Sequence, residues 1–225
     1  LNRAGEPGLR IANDFLRGQS DLSTEANLKI IFEATLEADT RVFEWLTRYR
    51  KEMNSLHGEG KVNDRIYDAC LRTARKALEM NMPDLREDVE RKMGEFLPLR
   101  ARAFASRMDM EQALRAKDSK AYLKAVQIFA KEGGAEPSPL LKSIAMEVAG
   151  QPGLNEQGTG YATRLLRMAA ENTPRSATYL DLGEFLLSQG DKAGARSAAE
   201  KAAEWAKKEG PQAEKQVSDF MLKLG

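Results

Sequence analysis

Few side chains in this 225-residue sequence have the types and spacing that chemistry requires. His57 is the single histidine, which rules out the paired Glu-x-x-His motifs that hold two metal ions in a helical bundle. It stands at an expected helix end beside Gly58 and Gly60, the setting of an exposed or C-capping histidine rather than a catalytic one. Cys70, the single cysteine, lies mid-helix in Tyr67-Asp68-Ala69-Cys70-Leu71 with no evident base, so a small buried core residue is expected rather than a reactive thiolate. A zinc site built from this histidine, this cysteine and carboxylates has no spacing signature. Glu33 with Glu37, and Glu87 with Asp88 and Glu90, place carboxylates on helix surfaces, where solvated faces are expected. Glu87 and Arg91 are spaced to pair. Arg100, Arg102, Arg107 and Arg115 are the one basic concentration, and Glu95, Asp109, Glu111 and Asp118 nearly balance it. The glycines of His57-Gly58-Glu59-Gly60 and Gly158-Thr159-Gly160 lack the strand and the Lys-Ser/Thr of a nucleotide loop. No catalytic residue, metal ligand or cofactor is expected, and the chain is not expected to be an enzyme.

Charge narrows the partners. Lys and Arg number 35 against 34 Asp and Glu, a formal charge of +1. Nucleic acid and anionic membranes select a strong basic excess, so neither is expected as the main partner. No apolar run approaches the roughly 18–20 residues of a membrane span, and membrane insertion is not expected. Leu1-Asn2-Arg3-Ala4-Gly5-Glu6-Pro7 has no apolar signal core. The chain opens on Leu1 rather than Met, from which a fragment or processed form is expected. One cysteine leaves the redox compartment open.

Helical periodicity recurs almost throughout, and strand-like alternation hardly occurs. The first helix is expected around Pro7 with Leu9, Ala12, Phe15 and Leu16 on one face. A second follows Ser23 or Thr24, and a third, capped by Asp39, carries Val42, Leu46, Tyr49, Met53 and Leu56 as one stripe. Helices are then expected from Val62 to Glu79, from Pro83, and from Pro98 through Phe104. Asp109 with Gln112 resembles a capping box opening a short helix to Ala116, and Ser119 caps the next. Gly133, Gly134, Pro137 and Pro139 mark the expected boundary between an N-terminal region, 1–132, and a C-terminal region, 138–225. Beyond it come helices near Leu140–Ala149, Thr159–Asn172, Ser176–Ser188, Lys192–Lys208 and from Pro211. The expected fold class is all-α, built of antiparallel helical hairpins. The nine methionines are expected mostly in the core, while Trp45 and Trp205 are expected to be partly exposed.

Tyr179, Leu182, Gly183 and Leu186, followed by Ala195, Ala199 and Ala202, have the spacing of a tetratricopeptide hairpin, and this segment resembles that family. Gly183, Ala195 and Ala202 lack bulk, which allows two helices to approach to roughly 8–10 Å. Ala162, Leu166, Ala169 and Pro174 repeat the second half of the pattern. Ala162 to Ala195 and Ala169 to Ala202 are each 33 residues apart, close to the family period of about 34. Cys70, Ala74 and Lys76-Ala77-Leu78-Glu79 before Pro83 form a fainter echo. Ala199 stands where the family has a large residue and Lys207 where it ends on proline. The Gly150–Gly158 connection is longer than a regular repeat. The resemblance implies an α-solenoid of stacked hairpins, capped by the helix that starts at Pro211.

A looser resemblance joins Ala38-Asp39, Val42-Phe43, Tyr49, His57-Gly58 and Lys76-Ala77 to the helical tail of some bacterial envelope proteins with an N-terminal thioredoxin-like domain. It implies a Cys-x-x-Cys domain upstream of Leu1 and a periplasmic or envelope location; without it a cytoplasmic location is expected.

The leading functional expectation is a non-enzymatic scaffold that binds a protein or an extended peptide. The tetratricopeptide resemblance places the ligand on the first helix of each hairpin, here Ala177, Leu180, Asp181, Glu184 and Ser188. Peptide-carboxylate binders of that family use Lys, Arg and Asn, none of which occurs at these positions, so an apolar or weakly basic segment fits better. The alternative is the C-terminal helical domain of a thioredoxin-like disulfide oxidoreductase.

Overall fold

The computed structural model describes residues 5–225, the side chains of residues 5–9 and 155 excepted; Leu9, expected on the apolar face of the first helix, lies outside the described side chains. Among the described residues the chain is all-helical, with thirteen α-helices, one 3-10 turn and no strand. The helices are α1 (Gly5–Arg17), α2 (Glu25–Ala34), α3 (Arg41–Arg48), α4 (Arg50–His57), α5 (Glu59–Glu79), α6 (Pro83–Phe96) and α7 (Pro98–Ala116). They continue as α8 (Ser119–Glu132), α9 (Ser138–Gly150), α10 (Asn155–Asn172), α11 (Ser176–Ser188), α12 (Lys192–Glu209) and α13 (Pro211–Lys223).

Several boundaries differ from the sequence reading, each for a local reason. In α1 Ala12 and Leu16 are buried, but Phe15 is 48% exposed, so the buried stripe is narrower than expected. Thr24 caps α2, accepting from the Asn27 N–H at 3.4 Å. Thr40 rather than Asp39 caps α3, because the Asp39 carboxylate is taken by Lys76 at 3.0 Å. The expected single stripe from Val42 to Leu56 breaks at Tyr49, whose backbone (φ −98°, ψ 27°) separates α3 from α4. Asp109 opens no helix: α7 runs through it, with Met108 and Met110 buried on either side. Asp118, not Ser119, caps α8, accepting from the Ala121 N–H at 2.9 Å. The Gly133–Ala135 segment forms the 3-10 turn and leads into α9.

By internal contacts the chain divides into two compact units, residues 1–104 and 105–225, with the division inside α7 and the Gly133–Pro139 segment inside the second unit.

In the first unit a loop is tied down by polar side chains. The Ala38 N–H donates to the Thr73 hydroxyl at 2.8 Å, and the Lys92 ammonium donates to the Ala38 carbonyl at 2.9 Å. Thr73 is fully buried, so this bond satisfies both partners away from water. Lys76 adds Glu37 at 2.8 Å beside Asp39, and those carboxylates raise its ammonium pKa. Arg50 reaches the Phe96 carbonyl at 3.0 Å and the Asn63 side-chain oxygen at 2.8 Å. Aromatic edges complete the packing: Phe43 meets Phe96 at 6.0 Å and Tyr67 meets Phe104 at 5.6 Å between ring centres.

In the second unit neighbouring helices pack in pairs, α9 with α10, α10 with α11, α11 with α12 and α12 with α13. Small residues recur among the buried ones there: Ala162, Ala169, Ala195, Ala199, Ala202 and Ala206 are all buried. Gly183 lies where α11 meets both α12 and α13 closely. A Cβ there would lie 2.9 Å from the Phe220 ring of α13 and 3.4 Å from the Ala195 carbonyl of α12, so a side chain at this position collides.

The turn between α11 and α12 is fixed by backbone chemistry. The Gly190 N–H bonds to the Leu187 carbonyl and the Asp191 N–H to the Leu186 carbonyl, both at 2.9 Å, with Gly190 at φ +82°. This is the Schellman end, in which a left-handed residue returns the chain onto the last carbonyls. Asp191 then caps α12, its carboxylate accepting from the Gly194 N–H at 2.8 Å. The same device ends α5 with Asn81 (φ 53°) and α7 with Lys117 (φ 54°) in the left-handed position.

Candidate functional site

The α11 helix carries two differently committed sides. Leu182, Gly183, Phe185 and Leu186 are buried among its neighbours. Ala177, Asp181, Glu184 and Ser188 recur at helical spacing on another side; Ala177, Glu184 and Ser188 are exposed and Asp181 is half-buried. Leu180 is half-buried, packed against the cluster of Ala202, Ala206 and Val217. The five expected residues therefore divide. Leu180 helps hold α11 against α12 and α13, and the other four present side chains toward solvent.

Two of those four already have partners. The Lys142 ammonium of α9 donates to the Asp181 carboxylate at 2.6 Å, with 48% and 29% of the two side chains exposed. The Ser188 hydroxyl donates to the Phe185 carbonyl at 2.7 Å, within its own helix. Lys142 was not among the expected residues. No repeat spacing pointed to it: Ser138 opens α9 and Ser176 opens α11, and the Gln151–Leu154 connection between α9 and α10 stretches that repeat beyond the 33-residue spacing of the second helices.

None of the five lines the cavity of about 250 Å³ that α10, α11 and α12 form; Tyr179, Leu182 and Leu186 reach it, with Arg167 and Lys201 at its polar edge. Lys201 sits 5.7 Å from the Tyr179 ring centre, so one rim cation is engaged with an aromatic face.

The groups singled out for chemistry in the first unit are held by packing. Cys70 is fully buried, and burial pushes its thiol up to about 12, which keeps it protonated and unreactive at neutral pH. His57 ends α4 and is half-buried rather than exposed: its imidazole stacks on Phe32 with ring centres 4.0 Å apart and planes 13° apart. The Arg100 guanidinium lies 3.8 Å from the Tyr67 ring centre. Arg91 pairs with Asp88 at 2.6 Å and Glu95 at 3.3 Å rather than with Glu87, although all three carboxylates lie about one helical turn from it. Four methionines, Met53, Met93, Met108 and Met110, are core residues, whereas Met80, Met82, Met146 and Met221 are exposed. Trp45 and Trp205 are both half-buried.

A cleft of about 630 Å³ runs along α5, bordered by Arg65, Arg72, Arg75 and Lys76 and by Glu37, Asp68 and Glu79. Its charges are of both signs, and Lys76 is committed to Glu37 and Asp39. Among the described residues no three His, Cys, Asp or Glu side chains are grouped as a metal site, and no helix is long and apolar enough to cross a membrane. No family model, curated protein or solved structure matches the chain.

Proposed function

We propose that this chain is a non-enzymatic scaffold that binds an extended peptide or protein segment along the exposed side of α11, at Ala177, Asp181, Glu184 and Ser188, with the half-buried Leu180 at its edge. In this reading α9–α12 are two tetratricopeptide-like hairpins and α13 is their cap, which leaves first-helix faces for the ligand. The supporting observation is the division on α11: Gly183 and Leu186 are closed off by neighbours, while Ala177, Glu184 and Ser188 stand exposed beside Asp181.

The chemistry of that side selects the ligand class. Asp181 and Glu184 lie about one turn apart, and Ala177 adds a low spot between longer side chains. Lys142 supplies one cation, already neutralised by Asp181. An apolar segment with a single basic residue matches this better than a peptide carboxylate, which needs several free donors. A basic ligand side chain would compete with Lys142 for Asp181 and settle near Glu184.

The test is selection of random extended peptides on the immobilised full chain, followed by affinity measurement. Ala177→Arg and Glu184→Arg should each weaken the selected peptides by about tenfold or more, roughly 1.4 kcal/mol, with helical content unchanged. Failure to enrich any sequence, or unchanged affinity in both variants, would refute the assignment.

A further inference from the structure

The end of α4 buries two polar atoms that find no partner among the described residues: the Asn54 side-chain oxygen and His57 Nε2, one turn apart. Buried polar atoms are normally satisfied, and an exception held beside an aromatic stack calls for an account. His57 lies flat on Phe32 of α2, at 4.0 Å, and Phe32 is itself 7% exposed. The same ring carries the Arg65 guanidinium from α5, 4.8 Å from its centre. The Phe32 ring thus joins side chains from α2, α4 and α5, and the imidazole on it is the only histidine in the chain.

We propose that His57 is a proton-sensitive latch, whose neutral imidazole holds the end of α4 against Phe32 of α2 and whose protonation loosens that joint in mildly acidic solution. The surrounding charges set the direction. Lys29 from α2 and Lys61 and Arg65 from α5 oppose a positive imidazole, and Glu33 from α2 favours one. The remaining neighbour, α3, brings Arg41, Glu44 and Arg48, of which Arg41 and Arg48 lie near the Trp45 and Tyr49 rings. The gain a cation has on an aromatic face is already claimed at Phe32 by Arg65.

Burial, the largest influence, holds the His57 imidazole below its ordinary value, and the three cations add to it. The folded state therefore prefers the neutral ring. Its contribution to stability is present above the ordinary histidine value of about 6.5 and is lost as pH falls through that value toward the lower folded one. A surface histidine paired with a carboxylate would behave in the opposite way.

Because there is a single histidine, its Hε1 resonance in the full chain is unambiguous. The midpoint of its NMR titration is expected below about 6.5, with the protection of backbone amides at Met53–Gly58, relative to intrinsic exchange at each pH, falling over the same interval. A midpoint at or above the ordinary value, or a titration without that loss of protection, overturns the proposal. Urea unfolding supplies a second test, followed through Trp45 in a Trp205→Phe background at pH 7.5 and at pH 5.5. The midpoint should fall more between the two pH values with His57 than with His57→Gln, whose side chain cannot be protonated. An equal fall in both chains removes His57 as the cause. If His57→Gln does not fold, the titration of the unmodified chain decides.

Discussion

Gly183, Ala195, Ala199, Ala202 and Ala206 form a buried run of small residues along α11 and α12 in the second unit, whereas Phe32, Phe43, Tyr67 and Phe104 with His57, Arg50 and Lys92 make aromatic and polar ties in the first. A seam of small residues sets helix distance by sterics, and anything larger is rejected. Aromatic stacks and buried hydrogen bonds set orientation instead, through partners that must each be present. The second unit should therefore answer chiefly to changes of volume, and the first to loss of single polar atoms.

The largest effect should come from Phe220→Ala. Phe220 is 2% exposed and its ring rests where Gly183 leaves room, so its removal opens a cavity and should cost about 3–5 kcal/mol in urea unfolding followed at Trp205. Next comes the nearly isosteric Thr73→Val. It preserves shape but leaves the Ala38 N–H unsatisfied, and should cost about 1–3 kcal/mol in unfolding followed at Trp45. A negligible cost for Thr73→Val would erase the distinction between the units.

Smaller still is Lys117→Gly at the end of α7. Lys117 holds a left-handed backbone that a Cβ disfavours, so glycine should raise the unfolding free energy by about 0.5–1 kcal/mol. Gly190→Ala, at the equivalent position after α11, should lower it by a similar amount, about 1 kcal/mol. The smallest effect belongs to the exposed side of α11: Glu184→Ala should change thermal stability by less than about 0.5 kcal/mol while altering peptide affinity.

How much of this was legible follows from the same contrast. The α11–α12 hairpin could be read to within a residue, because the small positions, the Gln189-Gly190-Asp191 turn and the helical stripe all encode one geometry. In the first unit the apolar stripe from Val42 to Leu56 gave no sign of the break at Tyr49. Tertiary contacts there, Phe43 on Phe96 and Arg50 on the Phe96 carbonyl, override the local period. Asp109 failed as a helix start because a capping pattern has meaning only at a chain reversal, and there Met108 and Met110 continue the buried side of α7. His57 was expected as an exposed or C-capping residue at a helix end, and it does end α4; its stacking partner, Phe32, lies 25 residues earlier, beyond any local signal. On α11 the exposed residues were readable from periodicity, but the Lys142–Asp181 pair was not, since 39 residues separate its members.

The most direct test of the account is the labelling rate of a Glu184→Cys chain by a soluble thiol reagent, with and without a saturating selected peptide. Cys70 is fully buried and should stay silent, so the signal comes from position 184 alone. The account predicts rapid labelling of the free chain and at least about tenfold protection when the peptide is bound, the equivalent of roughly 1.4 kcal/mol. Equal rates with the peptide demonstrably bound would place the ligand elsewhere and contradict the assignment of this side of α11.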